Sequence, residues 1–186
     1  MAGFFKKLFG GNEQAEPAPA LPAETPAVQT VAANDLSAPL GGTVVELSDV
    51  SDQMFASGAL GPGVAIEPVS GTVVAPADGI VTVAFPTGHA FGIRTTDGLE
   101  ILIHVGFDTV ELDGKFFNAK VEKGAAVKRG DVLVEFDLEE VKTAGYPVTT
   151  PLVITNAKVA ISSVQALNVG SQVAAGDAFL TVERKG

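Results

Sequence analysis

The chain has 186 residues, 46% of them apolar, which is enough for one domain with a hydrophobic core, and its formal net charge is −10. This acidity argues against nucleic acid as a partner, because phosphate binding requires Lys and Arg patches, and it favours a basic protein partner. The chain has no cysteine, which excludes disulfides, thiolate metal sites and cysteine nucleophiles. No apolar run approaches the roughly 18 residues of a membrane span, and no secretory hydrophobic region begins the chain. We therefore expect a cytoplasmic protein.

The first ten residues, MAGFFKKLFG, predict a short amphipathic helix over residues 1–10. Its apolar side chains share one face of a helical wheel: Met1, Phe4, Phe5, Leu8 and Phe9. Two lysines lie outside that face, so the segment is suited to weak, reversible binding at the anionic inner membrane face. The alternative interpretation is a frayed terminus whose phenylalanines pack on the domain.

Residues 11–37 are rich in Ala, Pro and Glu, a composition that predicts an extended, disordered linker. The folded domain is then predicted to span residues 38–186. Its short apolar runs alternate with Gly, Pro and Asp, which indicates an all-β protein. One short helix is predicted near residues 138–144 and is stopped by Gly145 and Pro147.

Two pairs of internal repeats run through this domain. APLGGTVVEL (38–47) is echoed by APADGIVTVAF (75–85), and VEKGAAVKRGDVLVEFD (121–137) by LNVGSQVAAGDAFLTVE (167–183). Each member of the second pair reads as strand, Gly turn, short strand, Gly-Asp turn and strand, which is a hammerhead-like unit. Paired units of this kind predict a flattened antiparallel β-sandwich of the barrel-sandwich hybrid type.

The two histidines of the chain lie in two strand-like runs joined by TTDG. A four-residue loop would place His89 opposite His104, and a two-residue turn would place His104 opposite Phe91, one diagonal from His89. Both registers put the imidazoles on one face, roughly 4.5 to 8 Å apart at Cβ. A three-residue loop would put them on opposite faces.

Chemistry alone leaves two interpretations of this pair. Imidazole acts as a nucleophile, a base or a metal ligand, which favours a functional site. However, His104 lies between Ile103 and Val105 in an apolar run, and a buried histidine is usually a hydrogen-bonded structural residue.

The run HAFGI…GLEILIHVGFDTVEL and the upstream DVSDQMFASGALGPGVAIEPVSGTVVAPADG closely resemble the glucose-type IIA protein of the bacterial phosphoenolpyruvate-dependent sugar phosphotransferase system. The resemblance covers roughly residue 38 to the C-terminus, and the short N-terminal segment is also similar. Its motif I-H-V-G-x-D-T-V-x-L spans ten positions, and the other histidine precedes it at the spacing found in the family.

The resemblance implies a phosphoryl carrier that needs no cofactor. His104 would accept phosphate on Nε2 from the phosphohistidine of HPr and pass it to a cysteine of a IIB domain. His89 would hydrogen-bond the phosphate, Thr87 would orient the His89 ring, and the Gly106 carbonyl would hold Nδ1–H of His104.

The resemblance also implies a docking surface. Phe55, Phe85 and Leu102 would form an exposed apolar patch for HPr and the IIB domain, although the family usually has phenylalanine where Leu102 stands. Asp52 and Asp108 would meet basic residues of HPr.

Regulation and other functions complete the range of hypotheses. In the family, the unphosphorylated protein also inhibits sugar permeases and glycerol kinase, and a zinc ion can be shared by both histidines (here His89 and His104) and a partner's carboxylate.

A zinc peptidase of the same duplicated architecture would need an H-x-H pair plus further ligands. A biotinyl or lipoyl carrier would need a lysine at a tight turn in a context that this chain lacks. A regulatory binding protein without phosphotransfer is the remaining alternative.

Overall fold

The computed structural model of the protein describes Ala32 and residues 35–186. The predicted amphipathic segment, with Phe4, Phe5, Leu8 and Phe9, lies outside the described residues, as does most of the predicted linker. Within the described part of the chain, no helix is both long and apolar enough to cross a membrane.

Short strands dominate the described residues, as the Gly- and Pro-punctuated apolar runs predict. The strands are β1 (Asp35–Ser37), β2 (Gly42–Val45), β3 (Gly63–Pro68), β4 (Thr72–Val74), β5 (Gly79–Ala84), β6 (Ala90–Thr95), β7 (Glu100–His104), β8 (Phe117–Ala119), β9 (Ala126–Val127), β10 (Val132–Phe136), β11 (Thr150–Ile154), β12 (Ile161–Ala166), β13 (Gln172–Val173) and β14 (Ala178–Arg184). The helices are α1 (Gln53–Ala56), α2 (Leu138–Thr143) and α3 (Ala157–Ala160), with 3₁₀ turns at Leu47–Asp49 and Thr109–Leu112.

The strands form one large sheet and two small ones, and the pairing is antiparallel throughout. The eight-stranded sheet has the order β13-β2-β3-β11-β7-β6-β5-β9, and the three-stranded sheets are β1-β14-β12 and β4-β10-β8. Buried aliphatic and phenylalanine side chains from all three sheets form one main core. The predicted all-β antiparallel sandwich is therefore confirmed.

The domain begins three residues earlier than the sequence predicts. Strand β1 was assigned to the linker, but Asp35–Ser37 pair with β14 and Leu36 is only 2% exposed. The run DLS has a single large apolar residue and no alternation. Its strand structure depends on a partner almost 150 residues away, which local composition does not reveal.

The two hammerhead repeats adopt the same turn. Gly130 and Gly176 have φ values of 90° and 94°, in the left-handed region that favours glycine. The carboxylates of Asp131 and Asp177 each accept a hydrogen bond at 2.8 Å from the backbone N–H three residues earlier. The G-D dipeptide therefore encodes one turn geometry, used twice.

The repeats also attach to the large sheet in the same way. Gly130 N–H donates to the carbonyl of Ala75 and Gly176 N–H to that of Ala38, both at 2.9 Å. The short strands of the two repeats also pair in equivalent ways: β9 pairs with β5, and β13 pairs with β2. The domain thus consists of two copies of one unit, which meet where β7 pairs with β11.

Helix α2 forms where the sequence predicts it. The Asp137 side chain caps its N-terminus by accepting the Glu140 N–H at 3.1 Å. Gly145, with φ of 94°, follows its C-terminus.

Candidate functional site

The hairpin that carries the histidines has the register that the sequence argument disfavoured. Ala90 pairs with His104 and Arg94 pairs with Glu100. The N–H of Thr95 donates to the carbonyl of Leu99 at 2.9 Å, which leaves a three-residue loop. In this register, strict strand alternation would put the two imidazoles on opposite faces. The predicted registers were therefore wrong.

The two rings nevertheless meet. Their centroids are 5.0 Å apart with an edge-on angle of 70°. His89 precedes β6, and the backbone turns at Gly88, whose φ is 70°. A Cβ at Gly88 would lie 3.2 Å from the Cβ of Phe117, so this turn packs tightly on β8. His89 stands at the end of the ladder, where its carbonyl accepts the Val105 N–H at 2.6 Å, and strict alternation does not hold at this end, where the chain turns at Gly88.

His104 ends β7 and is half-buried. Its Nδ1 lies 2.6 Å from the carbonyl oxygen of Gly106, and since a carbonyl only accepts, Nδ1 carries the proton. Gly106 has φ of 71°, and a Cβ there would lie 2.5 Å from the carbonyl oxygen of Pro147. Position 106 therefore requires glycine. Its carbonyl keeps the proton on Nδ1 of His104 and so leaves Nε2 with a free lone pair.

His89 is only 4% exposed. Its Nδ1 lies 2.5 Å from Oγ1 of Thr87, a hydroxyl that is able to donate or to accept. Behind Thr87 the chain packs on Gly114, where an added Cβ would lie 3.4 Å from the Thr87 Cα. The His89 ring is thus held at one nitrogen by a hydroxyl in a packed turn.

Both imidazoles are neutral at pH 7. Burial, and to a smaller extent the positive charge that His104 carries when it is protonated, lower the pKa of His89 to about 4. Burial also lowers the pKa of His104, against the opposing effects of the Gly106 carbonyl, Asp52 and Asp108. Nε2 of His104 therefore has an unprotonated lone pair at neutral pH, without a base to deprotonate it.

The apolar surroundings differ from the expected docking patch. The ring of Phe55 is 5.6 Å from that of His104, but Phe55 is only 4% exposed and so does not form part of the surface. It belongs to a second cluster of buried residues: Leu47, Val50, Phe55, Ala65, Phe107 and Val153. Leu102 is partly buried against the same cluster.

The exposed apolar side chains near the site are Phe85, Met54 and Val110. Phe85 is 44% exposed and its ring lies 5.0 Å from that of His89. Met54 (55% exposed) adjoins Phe55 in α1, and Val110 (50% exposed) lies in the 3₁₀ turn after His104. The sequence analysis did not single out Met54 or Val110. Their positions close to Phe55 and Asp108 in the sequence could have indicated that they lie near the site.

The two predicted carboxylates flank His104 in different ways. Asp52 caps α1, accepting N–H bonds from Met54 at 2.8 Å and from Phe55 at 3.3 Å. Asp108 is exposed and has φ of 58°. Both are near enough to influence the pKa of His104, so the site is a neutral imidazole pair with acidic groups at its rim.

Among the described residues, no three His, Cys, Asp or Glu side chains are grouped to hold a metal ion. The histidine pair offers two nitrogen ligands, whereas a zinc site takes three or four protein ligands. The residues of this chain do not by themselves fit a resident zinc ion, and they lack the ligand set of a zinc peptidase.

Fold and site together define a duplicated β-sandwich that presents two neutral, touching histidines beside exposed apolar groups. A family model described as the phosphoenolpyruvate-dependent sugar phosphotransferase system, EIIA 1, matches residues 34–160. The chain belongs to this EIIA family and is a sugar phosphotransferase system component of the glucose type.

Relatives and a solved structure agree with this assignment. The glucose-specific EIIA component of Halalkalibacterium halodurans is 45% identical, over 82% of this chain and 83% of the relative. The β-glucoside-specific EIIBCA component of the same organism is 50% identical over 81% of this chain, which spans only 23% of that longer protein. The glucose permease IIA structure from Mycoplasma capricolum matches with a TM-score of 0.71 and 38% identity, over 79% of this chain and 94% of the other.

Proposed function

We propose that the protein is a phosphoryl carrier, which accepts phosphate from phospho-HPr on Nε2 of His104 and passes it to a cysteine of a IIB domain. The observation that carries this proposal is the 2.6 Å contact between Nδ1 of His104 and the Gly106 carbonyl. It fixes the tautomer in which Nε2 is the free nucleophile. Since the chain has no cysteine, the acceptor belongs to another domain or chain.

The transfer step needs positioning and charge stabilisation more than covalent help from the protein. The P–Nε2 bond to His104 forms as the bond from phosphorus to the donor histidine of HPr breaks, and the Nδ1 proton stays on His104. The Thr87 hydroxyl donates a hydrogen bond to Nδ1 of His89, so the hydrogen of the neutral ring lies on Nε2. That N–H then donates to a phosphoryl oxygen, which stabilises the charge spread over the transferred group.

Partner docking uses the exposed apolar groups and the acidic rim. Phe85, Met54 and Val110 supply apolar contact area around the histidines. Asp52 and Asp108, on a chain of net charge −10, favour a basic surface on HPr and speed its encounter. Nucleic acid remains an unsuitable partner for so acidic a chain.

The unphosphorylated form has a second proposed role, the inhibition of sugar permeases or glycerol kinase through the same surface. Phosphorylation would add close to two negative charges at His104 and disfavour such binding. A zinc ion would enter only in a complex in which the partner adds a carboxylate to His89 and His104. We place this activity in the cytoplasm, with weak N-terminal binding to the inner membrane face.

The test is incubation with phosphoenolpyruvate, enzyme I and HPr, followed by intact-mass measurement. The wild-type protein should gain one acid-labile phosphate, and His104→Gln should gain none. His89→Gln should accept phosphate but pass it to a IIB domain slowly, because the stabilising N–H is lost. Circular dichroism should show that both variants are folded. Labelling of His104→Gln would refute the assignment of the nucleophile.

A further inference from the structure

Residues 105–107 form the turn that presents a carbonyl to His104, and hydrogen bonds hold this turn on several sides. The Val105 N–H donates to the carbonyl of His89 at 2.6 Å. The Phe107 N–H, in the same peptide unit as the Gly106 carbonyl, donates to the carbonyl of Pro147 at 3.0 Å. The plane of the peptide that faces His104 is thus anchored at its N–H end by backbone.

Apart from His104 itself, Thr109 supplies the only side-chain hydrogen bond to this turn among the described residues. It is 1% exposed, and its Oγ1 donates to the carbonyl of Val105 at 2.6 Å. Its methyl group also packs against the turn, because a Cβ added at Gly106 would lie 2.7 Å from Thr109 Cγ2. One side chain therefore holds the peptide preceding Gly106 from two directions.

We propose that Thr109 is a positioning residue for His104: its hydroxyl, bonded to the Val105 carbonyl, keeps the Gly106 carbonyl aimed at Nδ1. The inference rests on the proposed role of His104 as nucleophile. The left-handed Gly106 has wide conformational freedom, so the turn needs an external restraint to stay in one arrangement. Without it, the Gly106 carbonyl can rotate away, and the proton of His104 is free to occupy Nε2 and block the nucleophile.

The fully buried setting makes the hydroxyl hard to replace. Val105 is 1% exposed, so its carbonyl has no access to water once the Thr109 hydroxyl is removed. An unpaired buried carbonyl is unfavourable, and the turn is expected to shift to satisfy it. The effect reaches His104 through two peptide units and involves no contact with phosphate.

The experiment compares Thr109→Val, which keeps the shape and loses the hydroxyl, with the wild-type protein. Nitrogen-15 NMR of the unphosphorylated protein should show one His104 tautomer, with Nδ1 protonated, in the wild type and a mixture in Thr109→Val. Phosphate acceptance from HPr should slow about tenfold, by analogy with the loss of groups that orient metal-binding histidines.

Thr95→Val is the matched control. Thr95 is 5% exposed, its Oγ1 accepts the Leu99 N–H at 2.9 Å, and it lies at the far end of the same hairpin. This variant should lose stability but keep the single His104 tautomer and its acceptance rate. A purely structural role for Thr109 would give Thr109→Val the same behaviour.

Thr109→Ser and Thr109→Ala serve if the valine variant does not fold. Both lack the methyl group and they differ in the hydroxyl, so serine should keep the Nδ1-protonated tautomer and alanine should lose it. Unchanged His104 nitrogen resonances in the variants without the hydroxyl would overturn the positioning role. Because the spectra need no phosphate donor, this outcome is independent of whether His104 carries phosphate.

Discussion

The two halves of the domain contain equivalent strand pairs in the large sheet. In the β6–β7 pair, Ala90 lies opposite His104, and in the β3–β11 pair, Gly63 lies opposite Val153. These positions correspond in the duplicated order of the large sheet. Yet Val153 is 0% exposed, whereas His104 is half-buried. The same place in the scaffold is a buried core position in one half and a half-buried histidine in the other.

The connections between strands explain the difference. Between β2 and β3 the chain makes a long excursion over residues 46–62, with one 3₁₀ turn and α1, and it packs Phe55 in one cluster with Val153. Between β5 and β6 the connection is only residues 85–89, and its turn at Gly88 brings His89 to the edge of His104. The duplicated scaffold supplies the sheet, and the unequal loops bury Val153 in one half and bring His89 to His104 in the other.

The long loop, residues 46–62, also packs against the histidine site, and Phe55→Ala tests this contact. Phe55 packs on Phe107 at 5.7 Å between ring centroids and on His104 at 5.6 Å. We expect the substitution to lower the free energy of unfolding by about 3 kcal/mol, because it leaves a cavity beneath both groups. Urea unfolding measures this loss, and phosphate acceptance should fall as His104 loses its packing.

Met54→Ala is the control for that experiment. Met54 lies in the same helix but is 55% exposed, so its truncation should change stability by less than about 0.5 kcal/mol. If Phe55→Ala changed the free energy of unfolding as little as Met54→Ala, the packing of the long loop would not support the histidine site.

Only one half carries histidines at these positions, and their titration should make the stability of the domain depend on pH. The unfolded chain binds the His89 proton near pH 6.5, and the folded protein binds it only near pH 4. Stability is therefore full above pH 6.5 and falls as the pH drops from 6.5 toward 4. We expect His89 to account for a loss of about 2 kcal/mol between pH 7.5 and 5, measured by urea unfolding.

His89→Gln should flatten part of this dependence. The remainder comes from His104, whose pKa is lowered in the same direction by burial. An unchanged slope in His89→Gln would contradict the buried, neutral state of that ring.

Much of the scaffold follows from local sequence. The G-D dipeptides at Gly130 and Gly176 demand a left-handed glycine followed by a carboxylate that caps the turn, and both turns form as predicted. Helix α2 has its Asp137 cap and its terminating Gly145 within eight residues of each other. Such features depend on neighbouring residues only, so composition and spacing are sufficient.

The site itself depends on contacts that local sequence does not encode. The hairpin argument assumed a two- or four-residue loop, whereas the loop has three residues and the rings meet beside a turn at Gly88 that packs on Phe117 of β8. The family resemblance placed Phe55 on an exposed surface, whereas it is buried in one cluster with Val153, almost 100 residues away in the chain. Strand β1 was missed because β14, which is distant in the chain, provides its hydrogen bonds. The sequence singled out the two histidines as a pair, but not the geometry that joins their rings.

The smallest effect tests whether the duplication extends to energetics. At Gly130 and Gly176 an added Cβ would meet no atom within 4 Å, so Gly→Ala at either site should cost only the backbone strain of a left-handed alanine, about 1 kcal/mol. Gly98, with φ of 89° and equally open surroundings, gives the reference value for a turn outside the repeats. Urea unfolding should return closely similar losses for all three variants, with phosphate acceptance unchanged. A loss at Gly176 much larger than at Gly130 would mean that the two hammerheads share a backbone shape but not a mechanical role, and that the half closed by the long loop carries more of the domain's stability.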